Sequence, residues 1–212
     1  SQRREEEIPM VPVSMFKEME LRSVPTGAVF KTVTSSGTTG QKTSKIVLDE
    51  RTAAWQQQTL QRIMADFIGE KRIPMLIIDA PNVLRDRALF SARGAGILGF
   101  SIFGSKRCYA LKEDMSLDLE TVEAFLEKAG DGPVLVFGFT YMIWKYFYEP
   151  LKRSGHRLHL EHGFLIHGGG WKKLAKEAVS AEKFRDGLRE VCGILDVRNY
   201  YGMAEQTGCI YM

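Results

Sequence analysis

The sequence predicts an α/β fold: a mainly parallel sheet with helices on both faces. Two observations predict it. Apolar runs of strand length, such as Met75-Leu-Ile-Ile78 and Val134-Leu-Val-Phe137, alternate with longer stretches of helical periodicity. Glycine and proline fall between them, where the chain must turn. Strands separated by helices of this length pair in parallel, through crossover connections.

The elements follow in order. Gly27 to Val33 reads as an apolar strand, and Ile46-Val-Leu48 as a second. Asp49 is placed to cap a helix whose apolar stripe is Leu60, Ile63, Met64, Phe67 and Ile68, with Gly69 as its end. Met75 to Ile78 is a short buried strand ending in Asp79-Ala-Pro81. Arg87 to Phe103 reads as a glycine-broken helix, and Arg107 to Leu111 as the next strand. Ser116 or Asp118 caps a helix carrying Leu119, Val122, Leu126 and Ala129, and Gly130-Asp-Gly-Pro133 breaks it before Val134 to Phe137. A helix over 141–152, a strand over 163–166, helices over 171–191 and a last strand near 197–200 complete the alternation.

Composition narrows the function classes. The 212 residues are 44% hydrophobic and 26% charged, which suits one globular α/β unit or a large piece of a bigger protein. The net charge of +3 is small, and the basic pairs Lys106-Arg107, Lys152-Arg153 and Lys172-Lys173 are scattered without interleaved aromatics, which argues against a nucleic-acid partner. Cys108, Cys192 and Cys209 lie far apart with no CxxC spacing, which argues against a disulfide framework or structural zinc and fits a reducing cytoplasm. The charged start has no apolar core, and Ile97 to Phe103 is too short to cross a bilayer, so no transmembrane segment is expected.

Three segments at predicted strand ends carry the chemistry, and ligand sites gather at the carboxyl ends of parallel strands. The first is Thr34-Ser-Ser-Gly-Thr-Thr-Gly-Gln-Lys42. Glycine lets backbone N–H groups approach an anion, and small hydroxyls add donors and reach a phosphate-bound metal. A flexible linker has similar composition, but this stretch is short and flanked by apolar runs. A Walker A loop fails here: Lys42-Thr43 supplies the lysine–hydroxyl pair, but Gln41 and Ser36 stand where glycines are needed. The second segment is Tyr201-Gly-Met-Ala-Glu205, where a ring can stack on adenine, Gly202 admits a nucleotide and Glu205 can hold Mg²⁺. The third, His167-Gly-Gly-Gly170, could form an oxyanion hole, but no G-x-S-x-G elbow accompanies it. A plain strand-to-helix turn is the alternative. His162 and His167 lack a third metal ligand.

Ser35-Ser36-Gly37-Thr38-Thr39-Gly40 resembles the phosphate loop of the adenylate-forming superfamily of acyl-CoA synthetases, luciferases and peptide-synthetase adenylation domains, and Tyr201 to Glu205 resembles its Tyr-Gly-x-Thr-Glu motif. With His167-Gly-Gly-Gly-Trp-Lys172 and Tyr201 to Gly208, the chain looks most like the acyl-protein synthetase (LuxE-type) branch. That resemblance implies part of the superfamily's N-terminal domain, with residues 1–28 as an arm and 29–212 as a nucleotide-binding core, cut before a C-terminal domain. The isolated fragment is then expected to be inactive. It implies ATP and Mg²⁺ as cofactors, a fatty or other carboxylic acid as substrate, and an acyl reductase as partner for an acyl group carried on a cysteine thioester.

By the same resemblance Ser35, Ser36, Gly37, Thr38, Thr39, Gly40 and Lys42 handle phosphates, and Thr38 and Glu205 serve catalysis by placing Mg²⁺. Gly168, Gly169, Gly170, Tyr201, Gly202, Met203 and Ala204 hold the nucleotide. Two departures matter: Lys42 comes one position early, and Ala204 replaces the motif's threonine. Attack of a carboxylate on the ATP α-phosphate needs alignment and charge neutralisation rather than a general base. A coenzyme A ligase related to phenylacetate-CoA ligase, a P-loop-like NTPase using Lys42-Thr43 and a non-catalytic nucleotide-binding module are the alternatives.

Overall fold

A computed structural model describes residues 10–35, 42–84, 92–206 and 209–212; for Ala92 and residues 172–174 it describes the backbone alone. The chain forms two compact units, Ser1–Ile63 with Gly202–Tyr211, and Met64–Tyr201 with Met212.

The first unit holds α1 (Met15–Glu18) and an antiparallel ribbon of β1 (Lys31–Thr34) and β2 (Lys45–Leu48), in the register Lys31↔Leu48 to Thr34↔Lys45. The predicted strand from Gly27 therefore starts four residues late. Pro25 has no N–H and a fixed φ, and Ala28 N–H turns back to its carbonyl at 2.9 Å, so Thr26–Ala28 forms a 3₁₀ turn instead. The pair also corrects the expectation that the phosphate-loop segment leads on from a parallel strand, because β1 and β2 are antiparallel and lie outside the main sheet.

Asp49 caps α2 (Glu50–Ile68) as expected, its Oδ1 accepting from Thr52 N–H at 2.7 Å. Those Thr52 hydrogen bonds hold the Asp49 carboxyl below its ordinary range. Gly69, at φ +77°, ends the helix where the expected stop lies. The unit also contains Gly202, the second residue of β8 (Tyr201–Gly202), and β9 (Ile210–Tyr211).

The second unit is the predicted α/β sheet. Its strands are β3 (Ile73–Ile78), β4 (Gly104–Tyr109), β5 (Val134–Phe139), β6 (Gly163–Gly168) and β7 (Asp196–Asn199), in the spatial order β4-β3-β5-β6-β7, all parallel. The order reverses between β3 and β5, which makes their carboxyl ends the topological switch point. The β4 ladder begins at Gly104, three residues before the predicted strand, because Ile73 pairs there and Arg72 Nε donates to its carbonyl at 2.9 Å.

Side-chain alternation sorts the helices onto two faces. Phe137 and Phe139 point toward α3 (Ala92–Phe100), where a Cβ on Gly96 would come within 3.1 Å of the Phe139 ring. Cys108, Gly138 and His167 point the other way, toward α4 (Leu119–Ala129), α5 (Thr140–Ile143) and α7 (Ala181–Cys192): Cys108 Sγ lies 3.9 Å from Thr121 O, a Gly138 Cβ would meet Ile143 at 2.8 Å, and the His167 and Phe184 rings are 4.7 Å apart.

The predicted helix over 141–152 is longer and interrupted. A π-turn, Trp144–Tyr148, separates α5 from α6 (Glu149–Ser154). Pro150 accounts for the break, since it removes the N–H that would continue the regular ladder. The π-turn stacks Trp144 on Tyr148 at 4.1 Å, and Gly187 of α7 leaves room for that pair. Among the described residues no helix is long and apolar enough to cross a membrane.

Candidate functional site

Among the described residues, the buried polar side chains Asp79, Thr140 and His167 lie at the carboxyl edge of the parallel sheet. Asp79 directly follows β3 and is 1% exposed. Its Oδ1 accepts from Ala80 N–H at 2.8 Å, and its Oδ2 lies 3.3 Å from Arg93 Nε at the start of α3. Burial pushes the Asp79 carboxyl up, and the Arg93 charge offsets part of that rise. Arg93 Nη1 also reaches Tyr141 Oη at 3.4 Å. This buried ion pair at the switch point was not foreseen from the sequence, where Asp79 marks only a strand end.

β5 and β6 end side by side, Phe139 in register with Gly168. Thr140 Oγ1 lies 2.9 Å from His167 Nδ1 and donates to Gly168 O at 3.1 Å. A hydroxyl has one proton and a carbonyl can only accept, so Nδ1 carries the imidazole proton and donates to Thr140. Burial holds the His167 pKa down to about 4, so the ring is neutral at ordinary pH. A cavity of about 130 Å³ lies beside this pair, lined by Thr140, His167, Trp171, Phe184, Arg185 and Asn199 among others.

The glycine segment of the sequence forms a tight turn. Gly169 and Gly170 have φ of +77° and +60°. A Cβ on Gly168 would come within 2.6 Å of the Tyr200 ring, and one on Gly169 within 2.5 Å of the Phe139 ring. The backbone at these two residues is therefore packed against aromatic faces, whereas a Cβ on Gly170 would meet nothing within 4 Å among the described residues. Tyr200 N–H donates to His167 O at 2.8 Å and brings the end of β7 beside the turn. Tyr200 packs inward against Phe100, with ring centroids 5.1 Å apart, and Tyr201 exposes 61% of its surface. So the turn and Tyr200, distant in sequence, meet where the adjacent strands β6 and β7 end, and Tyr201 follows directly.

The other predicted residues lie in the first unit or outside the described chain. Ser36, Gly37, Thr38, Thr39 and Gly40 lie outside the described residues. Ser35 closes the base of the β1–β2 ribbon, its N–H donating to Ser44 O at 3.1 Å and its Oγ accepting from Ser44 N–H at 2.9 Å. Ser44, which sequence reasoning passed over, is fully buried, and its Oγ has no hydrogen-bond partner among the described residues. Lys42 Nζ pairs with Glu18 Oε2 at 2.9 Å on the surface of the unit. Met203 O accepts from Gln206 N–H at 3.1 Å in the turn that holds Ala204 and Glu205. The Glu205 side chain is half-buried and forms no ion pair among the described residues. Among those residues no cluster of three or more His, Cys, Asp or Glu could hold a metal ion. Mg²⁺ bound with substrate phosphates takes one or two carboxylates and keeps several waters, a set that a single carboxylate such as Glu205 can join.

No curated protein matches the chain. Among solved structures, a mutant form of Coronafacic Acid Ligase from Pectobacterium brasiliense is similar over 77% of this chain, at 16% identity and a TM-score of 0.43. The match spans 28% of the length of that ligase. The sequence model of the acyl-protein synthetases, LuxE, matches residues 3–212, and the chain belongs to that family.

Proposed function

We propose that this chain is the nucleotide-handling part of an acyl-protein synthetase that uses ATP to activate a carboxylic acid, a fatty acid first among them, to an acyl-adenylate. The observation that carries the reading is the Gly168–Gly170 turn at the carboxyl end of β6, tied by the Tyr200 N–H to the chain that continues into the exposed Tyr201. Gly170, left-handed and without a side chain, can admit a flat ring closely, and a tyrosine can stack on such a ring. Family membership over residues 3–212 supports the same reading.

Each group then has one task. Gly168, Gly169, Gly170 and Tyr201 frame adenine, with Gly202, Met203 and Ala204 continuing the nucleotide contact. Ser35, Ser36, Gly37, Thr38, Thr39 and Gly40 offer N–H and hydroxyl donors to the phosphates. Lys42 must leave Glu18 to join them; an exposed pair of that kind holds it by no more than about 1 kcal/mol. Thr38 and Glu205 would hold Mg²⁺, which when bound neutralises phosphate charge. The acceptor we assign is a protein cysteine that passes the acyl group to a reductase. Three thiols without a disulfide suit a reducing cytoplasm.

The test is isotope exchange between pyrophosphate and ATP in the full-length protein, over a panel of fatty and aryl acids. Exchange that depends on the acid supports the proposal; no exchange with any acid sinks it. Nucleotide hydrolysis without an acid favours the P-loop-like NTPase, and acyl-coenzyme A as product favours the coenzyme A ligase.

A further inference from the structure

We propose that Thr140 is a positioning residue for the glycine turn and sets adenine affinity without touching the nucleotide, an inference that rests on the nucleotide reading above. Thr140 is the first residue after β5 and Gly168 the last of β6, on strands whose ends are in register. Thr140 and His167 are 6% and 7% exposed, so their hydrogen bonds compete little with water. The network runs in one direction: His167 Nδ1–H to Thr140 Oγ1 at 2.9 Å, and Thr140 Oγ1–H to Gly168 O at 3.1 Å.

That last bond orients the peptide joining Gly168 to Gly169. On the opposite face of the sheet, the Tyr200 and Phe139 rings press against the same two residues. The aromatic contacts limit where the turn can sit, but they do not choose which way its carbonyl points. A carbonyl has a preferred donor direction, and Thr140 supplies the donor. Glycines have little intrinsic preference between left- and right-handed φ. The conformation at Gly169 and Gly170 therefore depends on an anchored first peptide. A base would rest at Gly170, whose peptide is set by the anchored one before it, so losing the anchor costs affinity at the base and not at the phosphates.

Thr140→Val removes the hydroxyl at constant shape, and Thr140→Ser keeps it. Calorimetric titration of the full-length protein with AMP and with tripolyphosphate separates the two halves of the nucleotide. The expected result is AMP binding weakened about tenfold or more in Thr140→Val, with tripolyphosphate binding within about twofold of wild type. Thr140→Ser should restore AMP binding to within about threefold.

A purely structural role would lower both ligands together in Thr140→Val, and that outcome overturns the inference. Unchanged AMP binding in Thr140→Val overturns it as well. If that variant does not fold, Thr140→Cys carries the test. Its weak S–H donor should also lose AMP affinity relative to Thr140→Ser, and equal affinity in the two overturns the inference. A wild type that binds neither probe nor ATP instead overturns the nucleotide reading, and this inference with it.

Discussion

Asp79 and Arg93 meet at 3.3 Å over the carboxyl end of β3, where the strand order of the sheet reverses. The carboxylate is 1% exposed and the guanidinium side chain 16%, so this is a buried pair rather than a surface one. Its worth lies in what happens when it is broken. Asp79→Ala leaves the arginine charge in a poorly solvated place and is expected to cost about 3–5 kcal/mol. Urea unfolding measures this, and a loss below about 1 kcal/mol, the value of a surface pair, contradicts it.

His167 makes the protein acid-sensitive. Its folded pKa of about 4 lies below the ordinary 6.5, so between those values the unfolded chain binds the proton that the folded chain refuses. Stability is complete above 6.5 and falls as pH drops toward 4, by roughly 3 kcal/mol for this group. Asp79, raised by burial, acts in the opposite sense at its own pKa, so the comparison must isolate the histidine. Unfolding midpoints of wild type and His167→Gln between pH 7 and pH 4 should converge on acidification. Parallel curves contradict the assignment.

Two neighbouring glycines should respond differently to the same methyl group. At Gly169 a Cβ adds a 2.5 Å clash with the Phe139 ring to a φ of +77°, whereas at Gly170 the φ is +60° and no described residue lies within 4 Å of the new methyl group. Gly170→Ala is expected to cost about 1–2 kcal/mol for backbone strain alone. Gly169→Ala adds overpacking of about 1–3 kcal/mol and distorts the turn. Thermal melts rank the two, and equal melting temperatures refute the packing argument.

The cysteines should separate by reactivity. Burial pushes the Cys108 thiol up to about 11 and the Cys192 thiol up to about 12, so neither offers thiolate near neutral pH. Cys209 is only half-buried. Mass spectrometry after brief alkylation of the native protein should find Cys209 labelled and the other two labelled only after denaturation. Early labelling of Cys192 is incompatible with its place in α7.

Local features were legible in the sequence because neighbouring residues create them. Asp49 and Asp118 cap their helices, and Gly69 ends one, through bonds that span a few residues. The buried run of β5 announced itself by composition. Where local signals competed, the weaker one was misread: Pro25 and Gly27 turn the chain before β1 can start, and Pro150 opens the π-turn within an otherwise regular helical pattern. The phosphate-loop residues 36–40 were the clearest motif and lie outside the described chain.

Residue type and short-range order were enough to read the family, the α/β class and the turn-forming glycines at 168–170. Long-range packing set the rest: β3 between β4 and β5, Arg93 against Asp79, and Thr140 over Gly168. Strand pairing joins segments far apart in the chain, and many pairings satisfy the same apolar pattern. Only the packed sheet selects one of them, and the contacts at its carboxyl edge follow from that selection.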